Sequence, residues 1–161
     1  MKLFNKILVI ALAALTGAAT VSAANAQGQA IALVGDVKLV KVNLDDGGET
    51  TTELVEPDTI VPGDKLIFTT AYNNTSNEPV TNFVVTNPLP EAVRLAGDAD
   101  AGLTVSVDNG TNWGKIADLS VTEDDGKARA ATHADVTHIR WTLATVAPGE
   151  AGQLEYPAII R

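Results

Sequence analysis

"VVTNPLPEAVRL", Val84 to Leu95, holds two apolar runs parted by Asn87-Pro88-Leu89-Pro90. A strand-like run stops at two prolines and restarts at once. Each proline lacks a backbone donor, so neither fits inside a central ladder. Proline also pushes the residue before it towards extended geometry. The segment therefore ends the pairing of a strand that starts near Val80 while keeping the chain extended. The expected result is a corner: the chain crosses to a second sheet and resumes at Val93. Leu89, between the prolines, is expected to plug the edge of the core.

The flanking sequence reads as β throughout. Lys65 to Tyr72 alternates, with Leu66, Phe68, Thr70 and Tyr72 on one face, and period two is the strand signal. The polar cluster "NNTSNEP" follows as a turn. Val80 to Thr86 alternates again. Leu103, Val105 and Val107 share a face and lead into Asn109-Gly110, a pair suited to the positive φ of a type I′ hairpin turn. Val136 to Val146 puts Ile139, Trp141 and Leu143 on one face. Gln153 to Ile160 gives a last strand. Ala30 to Val42 predicts an early strand or pair, bent at Gly35-Asp36, and Thr50 to Ile60 predicts a shorter strand. Many short strands with turns between them predict an all-β, antiparallel β-sandwich. Trp141 is expected at its centre beside Phe68 and Phe83.

The first residues stand apart from this pattern. Lys2 and Lys6 precede the apolar run Ile7 to Ala14, and small residues lead to Ala24-Asn25-Ala26. Positive charge, apolar core and A-x-A site make residues 1–26 a secretory signal peptide. The apolar run falls short of the ~20 residues a membrane span needs. Cleavage after Ala26 leaves 27–161 as a single domain, with cleavage after Ala23 as the alternative. The expected location is periplasmic or extracellular, at the cell surface, with no membrane span in the mature chain. The sequence has no Cys, so packing and strand pairing must stabilise it without disulfides.

The formal charge is −9, and loss of residues 1–26 removes two lysines and no acid, deepening it to −11. A nucleic-acid partner needs a basic face and is not expected. The acids are spread along the chain, which favours solubility.

Several segments in order carry a resemblance. Pro62-Gly63-Asp64 precedes the strand ending at Tyr72, and Asn73-Asn74-Thr75-Ser76 follows it. "NFVVTNPLPEAVRL" comes next, then "RWTLATVAPGEAGQLEY" from Arg140 to Tyr156. Over about residues 59–156 the chain resembles domain of unknown function 11, a conserved repeat of bacterial and archaeal surface proteins. The resemblance implies an immunoglobulin-like sandwich in an extracytoplasmic structural or adhesive setting. Asn87 stands where the family usually has Asp, and one copy stands where the family usually forms arrays. The family carries no established chemistry, so no functional residue transfers.

Motifs for catalysis are sparse. His133 and His138 are the only histidines, and their odd spacing would put them on opposite faces of one strand. No G-x-S-x-G occurs. Aromatics make up 4% of the chain, too few for the platforms that usually surround the acids of a sandwich glycosidase. No enzyme and no cofactor are expected. Glu123, Asp124 and Asp125 in "EDDGK" are the weak candidates for a metal. Their spacing does not match an EF-hand loop, and the expected reading is a charged turn on Asp125-Gly126. Trp113 is a hairpin cap or an exposed contact residue. Asn73, Asn74 and Asn109 begin N-x-S/T sequons and are read as turn residues.

The expected function is that of a non-catalytic exported sandwich, a cell-envelope structural or adhesive subunit. The alternative is a small periplasmic or secreted binding module with a weak calcium site. Residues 30–42 add a possible self-association element. That strand can pair within its own domain or add to the edge of a neighbouring copy. Lys38 and Lys41 favour the first home, since charge protects an edge.

Overall fold

A computed structural model describes residues 30–44 and 47–161. The expected signal peptide, residues 1–26, and the expected mature start at Gln27 lie outside the described residues. The described chain is all-β apart from one 3-10 turn at Ile116–Asp118. Its strands are β1 (Ile31–Leu44), β2 (Thr50–Val55), β3 (Lys65–Asn74), β4 (Val80–Pro88), β5 (Val93–Leu95), β6 (Thr104–Ser106), β7 (Ser120–Thr122), β8 (Ala128–Ala130), β9 (His138–Val146) and β10 (Ala151–Ile160). The larger sheet has the order β2-β1-β3-β10-β5, the smaller β4-β9-β6, and β7-β8 is a separate hairpin. Every pairing is antiparallel.

The two main sheets stack as a sandwich with β4, β9 and β6 over β3, β10 and β5. Asn87 of β4 donates from Nδ2 to the Thr70 hydroxyl of β3 at 2.7 Å. Trp141 of β9 tilts against Tyr156 of β10, their rings 6.1 Å apart. Leu66, Val93, Leu95, Leu103, Val105, Val136, Ile139, Tyr156 and Ala158 fill the space between them. Tyr156, not Trp141, is the aromatic at the centre. It is fully buried and stacked on Phe68 at 5.0 Å, while Trp141 is half-buried beside it. Phe83 pairs with Leu143 across β4 and β9, outside this core. Alternation assigned the faces correctly; the offset between the sheets decided which aromatic lies deepest.

The proline corner is present. β4 ends at Pro88 in the smaller sheet and β5 begins at Val93 in the larger one. Leu89 between them is buried in the core. Pro157 explains why β5 is short. It lies opposite the end of β5, where its carbonyl accepts from the Ala96 N–H and its missing donor leaves the Ala96 carbonyl to accept from Ala99. A proline in a central strand is tolerated here because β5 stops beside it.

Asn74 locks the far end of the sandwich. It is 1% exposed. Its Nδ2 donates to the carbonyls of Glu78 and Val146, and its Oδ1 accepts from the Ser76 N–H and hydroxyl. One side chain thus ties the β3–β4 turn to the end of β9. Both amide hydrogens are committed, so this sequon asparagine is a structural group. The turn reading is corrected in one respect: Asn73 and Asn74 are the last residues of β3, extended by its pairing with β1, and only the Asn74 side chain reaches the turn.

β1 runs unbroken from Ile31 to Leu44, without the bend anticipated at Gly35-Asp36. Its first nine residues pair in register with β3, Ile31 opposite Asn74 and Leu39 opposite Leu66. That ladder holds Gly35 extended. From Leu39 onward β1 pairs with β2 instead, Leu39 opposite Val55 and Leu44 opposite Thr50. The N-terminal strand therefore pairs within its own chain.

Candidate functional site

The five-stranded sheet is wider than the three-stranded sheet that covers it. With β4 over β3, no strand among the described residues lies opposite the inner face of β1 or of β2. Alternation along β1 puts Leu33, Gly35, Val37 and Leu39 on that inner face. Val37 and Leu39 lean on the core, but Leu33 is 44% exposed. A groove of about 550 Å³ results, floored by Leu33, Gly35, Val37, Phe68 and Thr70, with Asn87 of β4 as its wall.

The wall is an edge strand. β4 pairs with β9 on one side, and among the described residues no strand pairs with its other side. Asn82 has φ of +52° and kinks the edge, and Pro88 ends it because it lacks a donor. Five residues, Phe83 to Asn87, remain as a straight edge along the groove. Gly35 deepens the floor. A Cβ built there would meet nothing within 4 Å, so the glycine is not required by local crowding. Glycine inside a strand often marks close approach by another backbone or a ligand.

A second exposed feature lies beyond the groove, on the opposite face of β1. Beyond Leu39, β1 and β2 project as a two-stranded ribbon. Val40, Val42 and Leu44 share a face with Leu54, which pairs with Val40. Val42 is 63% exposed, Leu44 72% and Leu54 54%. Such a stripe on a strand pair with an open edge is a ready template for further pairing.

The candidates read from sequence fall elsewhere. Glu123, Asp124 and Asp125 form the turn of the β7–β8 hairpin, closed by the Glu123 N–H to the Lys127 carbonyl. Glu123 accepts from Arg129 Nε at 3.0 Å, and Asp125 accepts from the Lys127 N–H and from its Nζ at 2.7 Å. Lys127 holds the Asp125 carboxyl below its ordinary range. Two of the three carboxylates are thus committed to cations. No group of three or more His, Asp or Glu among the described residues is placed to hold a metal ion.

The histidines do not share a strand. His133 lies in the loop before β9 and lines a cavity of about 150 Å³ with Leu95, Leu103, Val105 and Ile116. His138 opens β9 and sets its ring edge-on to Trp113. Trp113 caps the loop after β6. Its Nε1 donates to the Gly110 carbonyl at 2.8 Å, and the Arg140 guanidinium lies 3.6 Å from its ring centroid. Asn109 and Gly110 both have positive φ, +57° and +84°, as their pairing implied, though the chain returns to β6 only at Gly114. The Asp108 carboxyl is pulled down to about 2 by the Asn112 N–H and side-chain amide and the Ser106 hydroxyl. These groups build a rigid loop.

Among the described residues no helix is long and apolar enough to cross a membrane. Comparison with protein-family models, curated proteins and solved structures gives no significant match.

Proposed function

We propose that the protein is a non-catalytic, exported β-sandwich that acts by surface contact, as a structural or adhesive subunit of the cell envelope. The observation carrying this reading is the mismatch between the sheets. It leaves a groove beside an open strand edge and a projecting apolar ribbon on the same molecule. Exposed apolar surface of this kind marks interaction sites. The resemblance to domain of unknown function 11, resting on the residues quoted above, supports the same setting. An immunoglobulin-like arrangement is part of the proposal: the antiparallel two-sheet sandwich agrees with it. The last strand departs from it by lying beside β3 rather than beside β9.

The calcium-binding alternative has less support, because Glu123 and Asp125 are engaged by Arg129 and Lys127. Export is tested by mass spectrometry and protease shaving of cells that make the full chain. The expected result is a mature protein beginning at Gln27, or a few residues earlier, and accessible outside the cytoplasm. A cytoplasmic form that retains Met1 would overturn the proposal.

A further inference from the structure

We propose that the cavity between the edge strands β5 and β6 binds a small arylalkyl amine, its ring inside and its ammonium at the mouth beside Asp100. β5 ends the larger sheet on this side and β6 ends the smaller. Each is three residues long, so the strands leave this side of the sandwich open. The loop from Ala96 to Leu103, the 3-10 turn at Ile116–Asp118 and the loop before β9 close it instead. They enclose about 150 Å³. Leu95, Leu103, Val105 and Ile116 make the apolar interior, and the exposed Gly97, Asp100 and Ala101 mark the mouth.

Size and lining select the occupant. Aliphatic cavities of this volume take up benzene from water, and a second ring would not fit. A void in a core lowers stability, and larger side chains ordinarily fill it. Here Gly97, Ala99 and Ala101 line it with little bulk. Gly97 is not held at positive φ, and a Cβ there would meet nothing within 4 Å. Neither backbone nor crowding calls for that glycine. The polar groups of the lining select the charge. Asp100 accepts the Gly102 N–H through Oδ1 at 2.8 Å, while its Oδ2 has no partner among the described residues. The half-buried His133 ring makes no hydrogen bond among the described residues either. An ammonium at the mouth pairs with Asp100, a neutral alcohol gains less, and a carboxylate meets like charge.

The probe is benzylamine, titrated into the mature chain and followed by methyl NMR. So small a ligand should bind in the roughly millimolar range. Saturable shifts are expected at Leu95, Leu103, Val105 and Ile116, with a rise in melting temperature. Benzyl alcohol should bind roughly threefold more weakly, as an exposed ion pair predicts, and benzoate more weakly still. Naphthylmethylamine should leave these methyls unmoved. Ala99→Leu fills the cavity, and should abolish binding while melting no lower than wild type. Asp100→Asn keeps the oxygen that Gly102 uses, and should bring benzylamine down to the affinity of the alcohol. The proposal is overturned if benzylamine gives no saturable shift at these methyls, or if its shift survives in a folded Ala99→Leu. Equal affinity for benzylamine and benzoate, or no change in Asp100→Asn, overturns it too. These two readouts decide the matter should Ala99→Leu fail to fold. The cavity requires nothing of the surface-contact role proposed above, and none of these outcomes bears on export.

Discussion

Tyr156 is the residue on which the core turns. Its ring lies between Phe68 and Trp141, and burial pushes its phenol up to about 12. A folded-state pKa above the unfolded value of about 10 has a definite sign. The neutral form is the one the fold favours. Its stabilisation is complete below the unfolded pKa and is lost as pH rises towards the folded one. Tyr156→Phe keeps the ring and removes the titration. The variant should match wild type in urea unfolding at neutral pH and lose less stability at alkaline pH. Parallel losses in the two proteins would show that another group governs the alkaline limb. At this scale the sequence was partly readable. Leu89 as core plug follows from local chemistry, as does an asparagine side chain holding the turn after β3. The depth of Tyr156 does not, because period two assigns a face and the overlap of the sheets assigns the depth.

Elements were more legible than residues where they are long and alternating, as in β3, β4, β9 and β10. The corner at Asn87-Pro88-Leu89-Pro90 was legible because a missing donor acts locally. β7 and β8 were hidden. They are three residues each, mostly exposed, with no apolar alternation. Two ion pairs of Arg129 brace this hairpin. Arg129 Nη1 and Nη2 reach the Asp135 carboxylate at 2.7 Å each, while Nε binds Glu123. Arg129 holds the Asp135 carboxyl well below the usual range, with help from the Thr132 hydroxyl and N–H. Arg129→Ala should therefore speed hydrogen exchange at the β7–β8 amides, with little effect in β3, β9 and β10. Exchange that rises equally in all strands would make the hairpin part of the core's cooperative unit. The groove was the least legible feature, since it exists only as a difference between two strand counts.

At the scale of the whole molecule, chain order and spatial order diverge. The last strand, β10, lies inside the larger sheet, between β3 and β5. It pairs with β3 over nine positions, from Ala151 opposite Asn73 to Ile159 opposite Lys65. Ending the chain after Pro148 would remove an interior strand and the buried Tyr156 and Ala158 with it. Such a protein should show no cooperative melting, and a native-like transition in it would mean that β1–β3 and the smaller sheet form a core of their own. The same placement sets a timetable. A chain made from its N-terminus holds β3 with one side unfilled until Ala151–Ile160 emerge. Partial lengths cannot close around a missing middle. The polypeptide would stay supple for most of its making, and would stiffen only once β10 takes its seat beside β3.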